Sequence, residues 1–370
     1  MRTSIVIATH NDGRPLLQTV QSCIESSATL EYEIIIADDG SSDNCPDEAV
    51  ARFPQIRLIR HQSRQGVSPT RVLGARQASA DVLIFLDGHT KPLPGALQRL
   101  VEDVELANGE AIVTPAIASL EVRTWTPMLD HVGYGYGLKL ETLQRKWVKL
   151  GEMHSVRLAR RELFESPAFI GAAVALSRSL YSRLRGFDAH MKYWGVEDLE
   201  LSLKCWLMGS RILHDPRSVI AHRFQTKFQN YEVPSEHVIA NHCRCARKLF
   251  TRPVWEDWLQ RFIRSQLEPQ CDRRRQQWTE AWKIFDEGRD SVEQERRYVQ
   301  RHKLHDEFWY ADRFNLEWPK KKGANARNRP VLTMQMGQRS PNEIMPTVAP
   351  DGCLNYLSPS IAPSIPVVKE

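Results

Sequence analysis

Between Thr3 and Ile117 short apolar runs alternate with segments of helical period, and this alternation limits the fold more than anything else in the chain. Residues 4–8, 33–38, 56–60, 82–87 and 111–114 read as strands. The segments between them, 15–26, 46–53, 68–78 and 93–106, read as helices, two of them with a proline at the start, where its missing N–H costs nothing. Such alternation implies βαβ units and a parallel sheet, and strands covered on both faces appear as unbroken apolar runs. The expected class is α/β, a Rossmann-like, mostly parallel sheet flanked by helices. The chain has neither a GxGxxG nor a GxxxxGK[ST] pattern, which argues against a dinucleotide site and a P-loop.

The run 82–86 ends abruptly in Asp87-Gly88-His89. In open α/β sheets ligands bind outside the carboxyl ends of the strands. Asp87 and His89, two apart on extended chain, point to one side, and Gly88 between them would let backbone approach a large anion. Carboxylate with imidazole suits a borderline divalent ion such as manganese. Taken alone, the same tripeptide is equally a strand that ends in a polar turn.

The second strand ends in Asp38-Asp39-Gly40-Ser41-Ser42-Asp43. Asp39 could accept from the imide N–H of a uracil, since a carboxylate offers only acceptors; an Asx turn or helix cap is the alternative. Arg64 and Arg71 flank an expected helix N-terminus, a place that favours phosphate, although either could be solvated surface.

Thr9, the Asp38–Asp43 segment, the Gly66/Arg71/Gly74 stretch and Phe85-Leu86-Asp87-Gly88-His89 resemble, in this order, the successive motifs of family 2 glycosyltransferases with the GT-A fold. The resemblance implies a nucleotide-diphosphate sugar as donor, a UDP-sugar before a GDP-sugar, with Thr9, Asp38, Asp39 and Arg71 holding the nucleotide. The usual Asp-x-Asp is Asp-Gly-His here. That variant resembles polypeptide N-acetylgalactosaminyltransferases, whose Asp-x-His binds manganese together with a later histidine. The implied ligands are Asp87, His89 and His222, the last within a His-x-Phe pattern, and the implied cofactor is Mn2+ or Mg2+.

A second constellation joins the small residues around Gly171 to Trp194-Gly195-Val196-Glu197-Asp198. Glu197 and Asp198 open an expected amphipathic helix with Leu199, Leu203 and Trp206 at helical spacing. Carboxylates in a first turn are favoured electrostatically, so capping is one explanation. The other is chemical: Trp194 stacks on a sugar face, one carboxylate holds a sugar hydroxyl and the other takes the acceptor's proton. The Trp-Gly-x-Glu segment resembles that of inverting β-1,4-galactosyltransferases, which continues Glu-Asp with the Asp as base, and that of the retaining polypeptide-modifying group, which continues Glu-Asn. Glu197-Asp198 thus implies inversion with Asp198 as base, while the metal motif points to the retaining group. A catalytically silent sugar-nucleotide-binding or scaffold protein is the reading from another class.

Residues 118–166 read as an irregular excursion over the sheet, its Gly133-Tyr134-Gly135-Tyr136-Gly137 repeat a packed loop or an acceptor groove. Residues 211–216 and 218–224 read as two short strands, and 225–234 as a plain connection or a lid, since glycosyl transfer must exclude water. Beyond them, 235–250, 254–266 and 273–300 have helical period, with tryptophans suited to packing. The expected organisation is a catalytic domain over 1–230, a helical extension over 231–318, and a basic linker with a poorly ordered, proline-rich tail over 319–370.

Of 370 residues, 42% are hydrophobic and 26% charged, an ordinary composition for a soluble protein that buries a core. The formal charge of +5 is too mild to require nucleic acid. The acceptor is left open among saccharide, lipid-linked and peptide hydroxyls. The seven cysteines include no CxxC pair, which favours reduced thiols and a cytoplasmic setting. No signal-peptide pattern opens the chain, and no apolar run reaches the roughly 18 residues of a membrane helix, so any membrane contact is expected to be peripheral.

Overall fold

A computed structural model describes residues 2–224, 232–267 and 272–319. Most of the expected lid (225–231) and all but the first residue of the expected linker and tail lie outside the described residues.

The chain enters on β1 (Thr3–Thr9), α1 (Arg14–Ser26), β2 (Tyr32–Asp38), α2 (Cys45–Arg52), β3 (Arg57–Arg60), α3 (Val67–Gln77) and β4 (Val82–Asp87). These agree closely with the expected elements. The four strands are parallel in the order β3-β2-β1-β4. Every side chain of β1 is buried, because both faces are covered. Ile5 and Ile7 face one core with Leu16, Val20, Leu97 and Val101, and Val6 faces the other with Phe85, Leu199 and Leu203.

Beyond β4 the sheet turns mixed. β5 (Thr90–Pro92), α4 (Ala96–Leu106) and β6 (Ala111–Glu121) are followed by β7 (Thr126–Gly133), β8 (Tyr136–Lys139), β9 (Gln144–Trp147), β10 (His154–Leu158), β11 (Arg161–Glu165) and β12 (Ala173–Ser177). The expectation of an irregular excursion over 118–166 is therefore corrected. These are antiparallel strands at the sheet's far side and in a separate β8–β9 hairpin. They were hidden because such strands face solvent on one side: β10 carries His154, Ser155 and Arg157 outward and has no apolar run. Nor is the Gly/Tyr repeat a loose loop, since a Cβ on Gly133 would sit 1.9 Å from the Trp147 ring.

After α5 (Arg178–Arg183), α6 (Glu197–Leu207) is buried on every side, not amphipathic as expected, because the C-terminal helices cover the face that would otherwise meet water. The two short strands expected next are one, β13 (Arg211–His222), whose register against β6 shifts between Asp215 and Val219. This bulge absorbs Pro216, which cannot donate to a ladder. The sheet runs β10-β11-β13-β6-β12-β4-β1-β2-β3, with β5 on β13 and β7 on β6.

The chain continues through α7 (Ser235–Leu249), α8 (Arg252–Leu267), α9 (Asp272–Glu287), α10 (Arg289–His302) and α11 (Glu307–Arg313). The single helix expected over 273–300 breaks at Gly288, where a Cβ would lie 2.8 Å from Arg244 Nη1. Trp255, Trp258 and Trp278 are buried in the same core as α6, and Trp282 and Trp309 pack against it. Beneath them lies a buried charge network. Asp188 pairs with Arg244 at 2.9 Å and Lys248 at 2.7 Å, Lys248 reaches Glu200 at 2.8 Å, and Glu200 meets Lys204 at 3.0 Å. Charges this deep persist only when mutually paired.

Candidate active site

The site is built where parallel strands end. Thr9 closes β1, Asp38 closes β2 in register with it, and Asp87 closes β4 beside Ala8. The last described strand supplies the rest: β5 hydrogen-bonds along the end of β13, pairing His222 with Thr90. His89, just before Thr90, thus meets His222 from the far end of the domain, their ring centroids 4.8 Å apart.

One ligand atom from each of Asp87, His89 and His222 lies within 4.8 Å of the others, and Asp87 Oδ2 is 3.5 Å from His222 Nε2. His89 Nδ1 bonds Asp12 Oδ1 at 2.8 Å, and Asp12 Oδ2 accepts from Thr9 Oγ1 at 2.8 Å. A carboxylate behind a ligating imidazole fixes its ring and tautomer, which leaves Nε2 for an ion. His222 Nδ1 is buried without a hydrogen-bond partner among the described residues. Burial drives the His222 imidazole below its ordinary pKa, toward the neutral form that binds metal. Burial alone would raise the Asp87 carboxyl, but Arg71 and the two imidazoles hold it well below the usual range. Burial draws the His89 imidazole down, but Asp12 and Asp87 leave it raised; two imidazoles and one ionised carboxylate, converging with an oriented second shell, fit a borderline divalent cation.

Gly88 has a different reason from the one expected. A Cβ there would lie 2.3 Å from Asp12 Oδ2 and 2.9 Å from Thr9 Oγ1; the glycine makes room for the carboxylate behind His89, not for an approaching anion. Asp12 escaped the sequence reading, although a Thr-His-Asn-Asp cluster directly after a strand was its signal.

Arg71 is buried, and its two Nη groups go to protein, while its Nε has no hydrogen-bond partner among the described residues. Nη2 donates to Asp87 Oδ1 at 2.7 Å and to the Gly171 carbonyl at 2.6 Å, and Nη1 to Glu197 Oε1 at 3.3 Å. The structure thus sets Arg71 between the cation ligands and the second block. Asp38 is buried against Arg60 and Ser41. Asp39 receives the amides of Gln65 at 2.6 Å and Gly66 at 2.8 Å, so it organises the loop ahead of α3. Arg64 lies over the Tyr193 ring and donates to the Glu232 carbonyl, so neither arginine near α3 presents a free guanidinium at that helix end.

The second block opens on a strained turn. Tyr193, Gly195 and Val196 all have positive φ, 60°, 109° and 58°, and a β-branched residue there costs roughly 1–3 kcal/mol. The turn delivers Glu197 and Asp198 together into the first turn of α6. Glu197 Oε2 accepts from Gly195 N at 3.2 Å, and burial, with Asp198 beside it, pushes its carboxyl up. Asp198 Oδ2 accepts from Gly171 N at 3.2 Å, while Oδ1 takes Leu199 N at 2.8 Å and Arg145 Nη2 at 2.5 Å. Gly171 therefore touches both centres, its carbonyl on Arg71 and its amide on Asp198. Trp194 stands at the same place, its ring 5.6 Å from the Arg145 guanidinium carbon. Arg145 had no signal in the sequence, being one of several charges in a stretch without apolar period.

Known proteins resemble this chain in sequence and in fold. The model of the family described as "Glycosyl transferase family 2" matches residues 4–166, and one described as "N-terminal domain of galactosyltransferase" matches 153–227. The mouse polypeptide N-acetylgalactosaminyltransferase 6 is 31% identical over 279 residues, 72% of this chain and 44% of the relative; the human polypeptide N-acetylgalactosaminyltransferase 3 is 32% identical over 267 residues, 69% and 41%. The chain thus spans less than half the length of these relatives. A crystal structure of GalNAc-T7 with UDP, GalNAc and Mn2+ superposes with a TM-score of 0.68 at 21% identity, over 85% of this chain and 57% of that one, and shows the shared fold. Residues 4–166 belong to glycosyltransferase family 2, set in a GT-A fold that the chain completes through β13.

Proposed function

We propose that this protein moves a sugar from a UDP-sugar to an acceptor hydroxyl, with a divalent cation, Mn2+ or Mg2+, at Asp87, His89 and His222. The observation that carries the reading is the meeting of those three side chains, with His89 oriented by Asp12. UDP and Mn2+ in the crystal structure that shares the fold support the choice of donor and ion. When bound, the cation neutralises the departing diphosphate.

The chain's own residues do the rest. Thr9, Asp38 and Asp39 shape the strand ends where the nucleoside sits. Arg71 keeps Asp87 ionised and joins it rigidly to Gly171 and Glu197. Trp194 offers a sugar-stacking face, and Glu197 orients the sugar. Asp198 receives the proton of the acceptor hydroxyl on the face opposite the leaving group, which inverts the anomeric centre. The free thiols of Cys23, Cys205, Cys243 and Cys245, all buried, support a reducing, cytoplasmic setting. Among the described residues no helix is long and apolar enough to cross a membrane.

A second reading, retention of configuration, is favoured by one contact: Arg145 already occupies Asp198 Oδ1, and the polypeptide N-acetylgalactosaminyltransferase relatives point the same way. Incubating the full chain with UDP-sugars and Mn2+ is expected to release UDP, and Asp198→Asn to abolish the release. NMR of the product's anomeric configuration then decides between the two, an unchanged configuration removing Asp198 from the role of base. Absence of UDP release from every UDP-sugar, with no binding of UDP, would leave only the silent scaffold.

A further inference from the structure

Arg145 rides on β9, and Trp147 seats the hairpin against the site through Phe224. Trp147, two residues on and so on the same face, packs 4.9 Å from the Tyr136 ring and 6.1 Å from Phe224, whose ring lies 4.7 Å from that of His222. The tight fit of Trp147 against Gly133 anchors the strand. The Arg145 guanidinium is thereby held 5.7 Å from the Tyr136 ring and 5.6 Å from the Trp194 ring, with one donor on Asp198 Oδ1 at 2.5 Å. Its Nε is buried and has no hydrogen-bond partner among the described residues.

Two facts follow from this placement. Asp198 already accepts from Arg145, Leu199 N and Gly171 N, so both of its oxygens are engaged before an acceptor hydroxyl arrives. Arg145, for its part, has a planar fork with an unmet donor, the geometry that matches a carboxylate or phosphate in a bidentate pair. The flanking rings hold the cation whichever anion it faces.

We propose that Arg145 is a substrate-displaced latch: an oxyanion on a substrate, carboxylate or phosphate, takes over the guanidinium and frees Asp198 Oδ1. The proposal rests on Asp198 as the base. The freed carboxylate takes the proton of the acceptor hydroxyl, whose oxygen forms the new glycosidic bond. The bond from the anomeric carbon to the diphosphate oxygen breaks, and its electron pair leaves on the diphosphate. The oxyanion is either a phosphate of the donor or an acidic group of the acceptor.

The test is calorimetric titration of the full chain with Mn2+, in wild type, Arg145→Lys and Arg145→Gln. Three probes are used: UDP, a disaccharide ending in glucuronate, and its neutral glucose-ended counterpart. Arg145→Gln is expected to bind one anionic probe about ten-fold more weakly, with Arg145→Lys in between and the neutral probe unaffected. A loss confined to UDP identifies the donor's phosphate as the partner; a loss confined to the glucuronate probe identifies an acidic acceptor. Unchanged affinity for both anionic probes in Arg145→Gln, including the case in which neither binds wild type, overturns the latch. An equal loss for the neutral probe in Arg145→Lys does so too. UDP release by Asp198→Asn separates this from the function above: turnover that survives in that variant removes the base, while the anion preference of Arg145 is still read from binding.

Discussion

Asp12 Oδ1 lies 2.8 Å from His89 Nδ1, which ties the loop after the first strand to the candidate cation site. Loss of a carboxylate behind a ligating imidazole typically weakens metal binding by about 10–100-fold. Asp12→Ala is expected to fall in that range for Mn2+ by calorimetry. Gly88→Ala should do the same with every ligand intact, because its Cβ would push Asp12 away.

Chelation gives a second expected outcome. EDTA should stop UDP release and lower the melting temperature, and Mn2+ at a hundred times its Kd should restore about 2.7 kcal/mol of stability. In His222→Ala that Mn2+-dependent rise should vanish. Differential scanning fluorimetry with and without Mn2+ measures both.

Stability should also depend on pH through a cluster far from the cation ligands. Asp103 is buried on α4 beside Asp215 in the β13 bulge, with Arg161 at 2.6 Å on Asp103 and Arg99 at 2.7 Å on Asp215. Burial first, and Asp215 next, push the Asp103 carboxyl up to about 7. The folded protein then holds a proton that the unfolded chain, with a carboxyl near 3.9, has released. Stability from this group is greatest below the unfolded pKa and falls as pH rises from about 4 to 7. Asp103→Asn, uncharged throughout, should flatten that decline in melting temperature between pH 5 and 8; an identical slope in both proteins would refute the assignment.

The network of Asp188, Arg244, Lys248 and Glu200 makes the C-terminal helices part of the catalytic core. Lys248→Met takes one cation from each of two buried carboxylates and leaves Asp188 to Arg244 and Glu200 to Lys204; a buried carboxylate left with no partner costs roughly 3–5 kcal/mol. Urea denaturation should show a loss, smaller than that because each carboxylate keeps one partner. A chain ending at residue 230 should fail to yield soluble protein, since it exposes the face of α6 that α7 and α11 cover, where Trp206 meets Trp309 and Phe314.

How much of this could be read beforehand depended on which physical signal each element carried. β1 to β4 and their helices are covered on both sides, so burial writes itself into the sequence as unbroken apolar runs. Asp87, His89 and His222 were legible because short motifs mark them. β7 to β11 were not, being half-solvated and charged, and α6 was misjudged because its second cover comes from residues far along the chain. Arg71 illustrates a further limit: an arginine near a helix start suggests phosphate, but only the fold shows its two Nη groups turned to Asp87, Gly171 and Glu197. Asp12 and Arg145 act through partners distant in sequence, and no local pattern records such a pairing.

The register of β13 against β5 has a consequence for biogenesis. His222 is carried to His89 by one of the last strands to leave the ribosome, so a nascent chain that has made Asp87 and His89 still lacks their partner. Under the proposed function, the cation site thus stays incomplete until β13 is seated between β11 and β6.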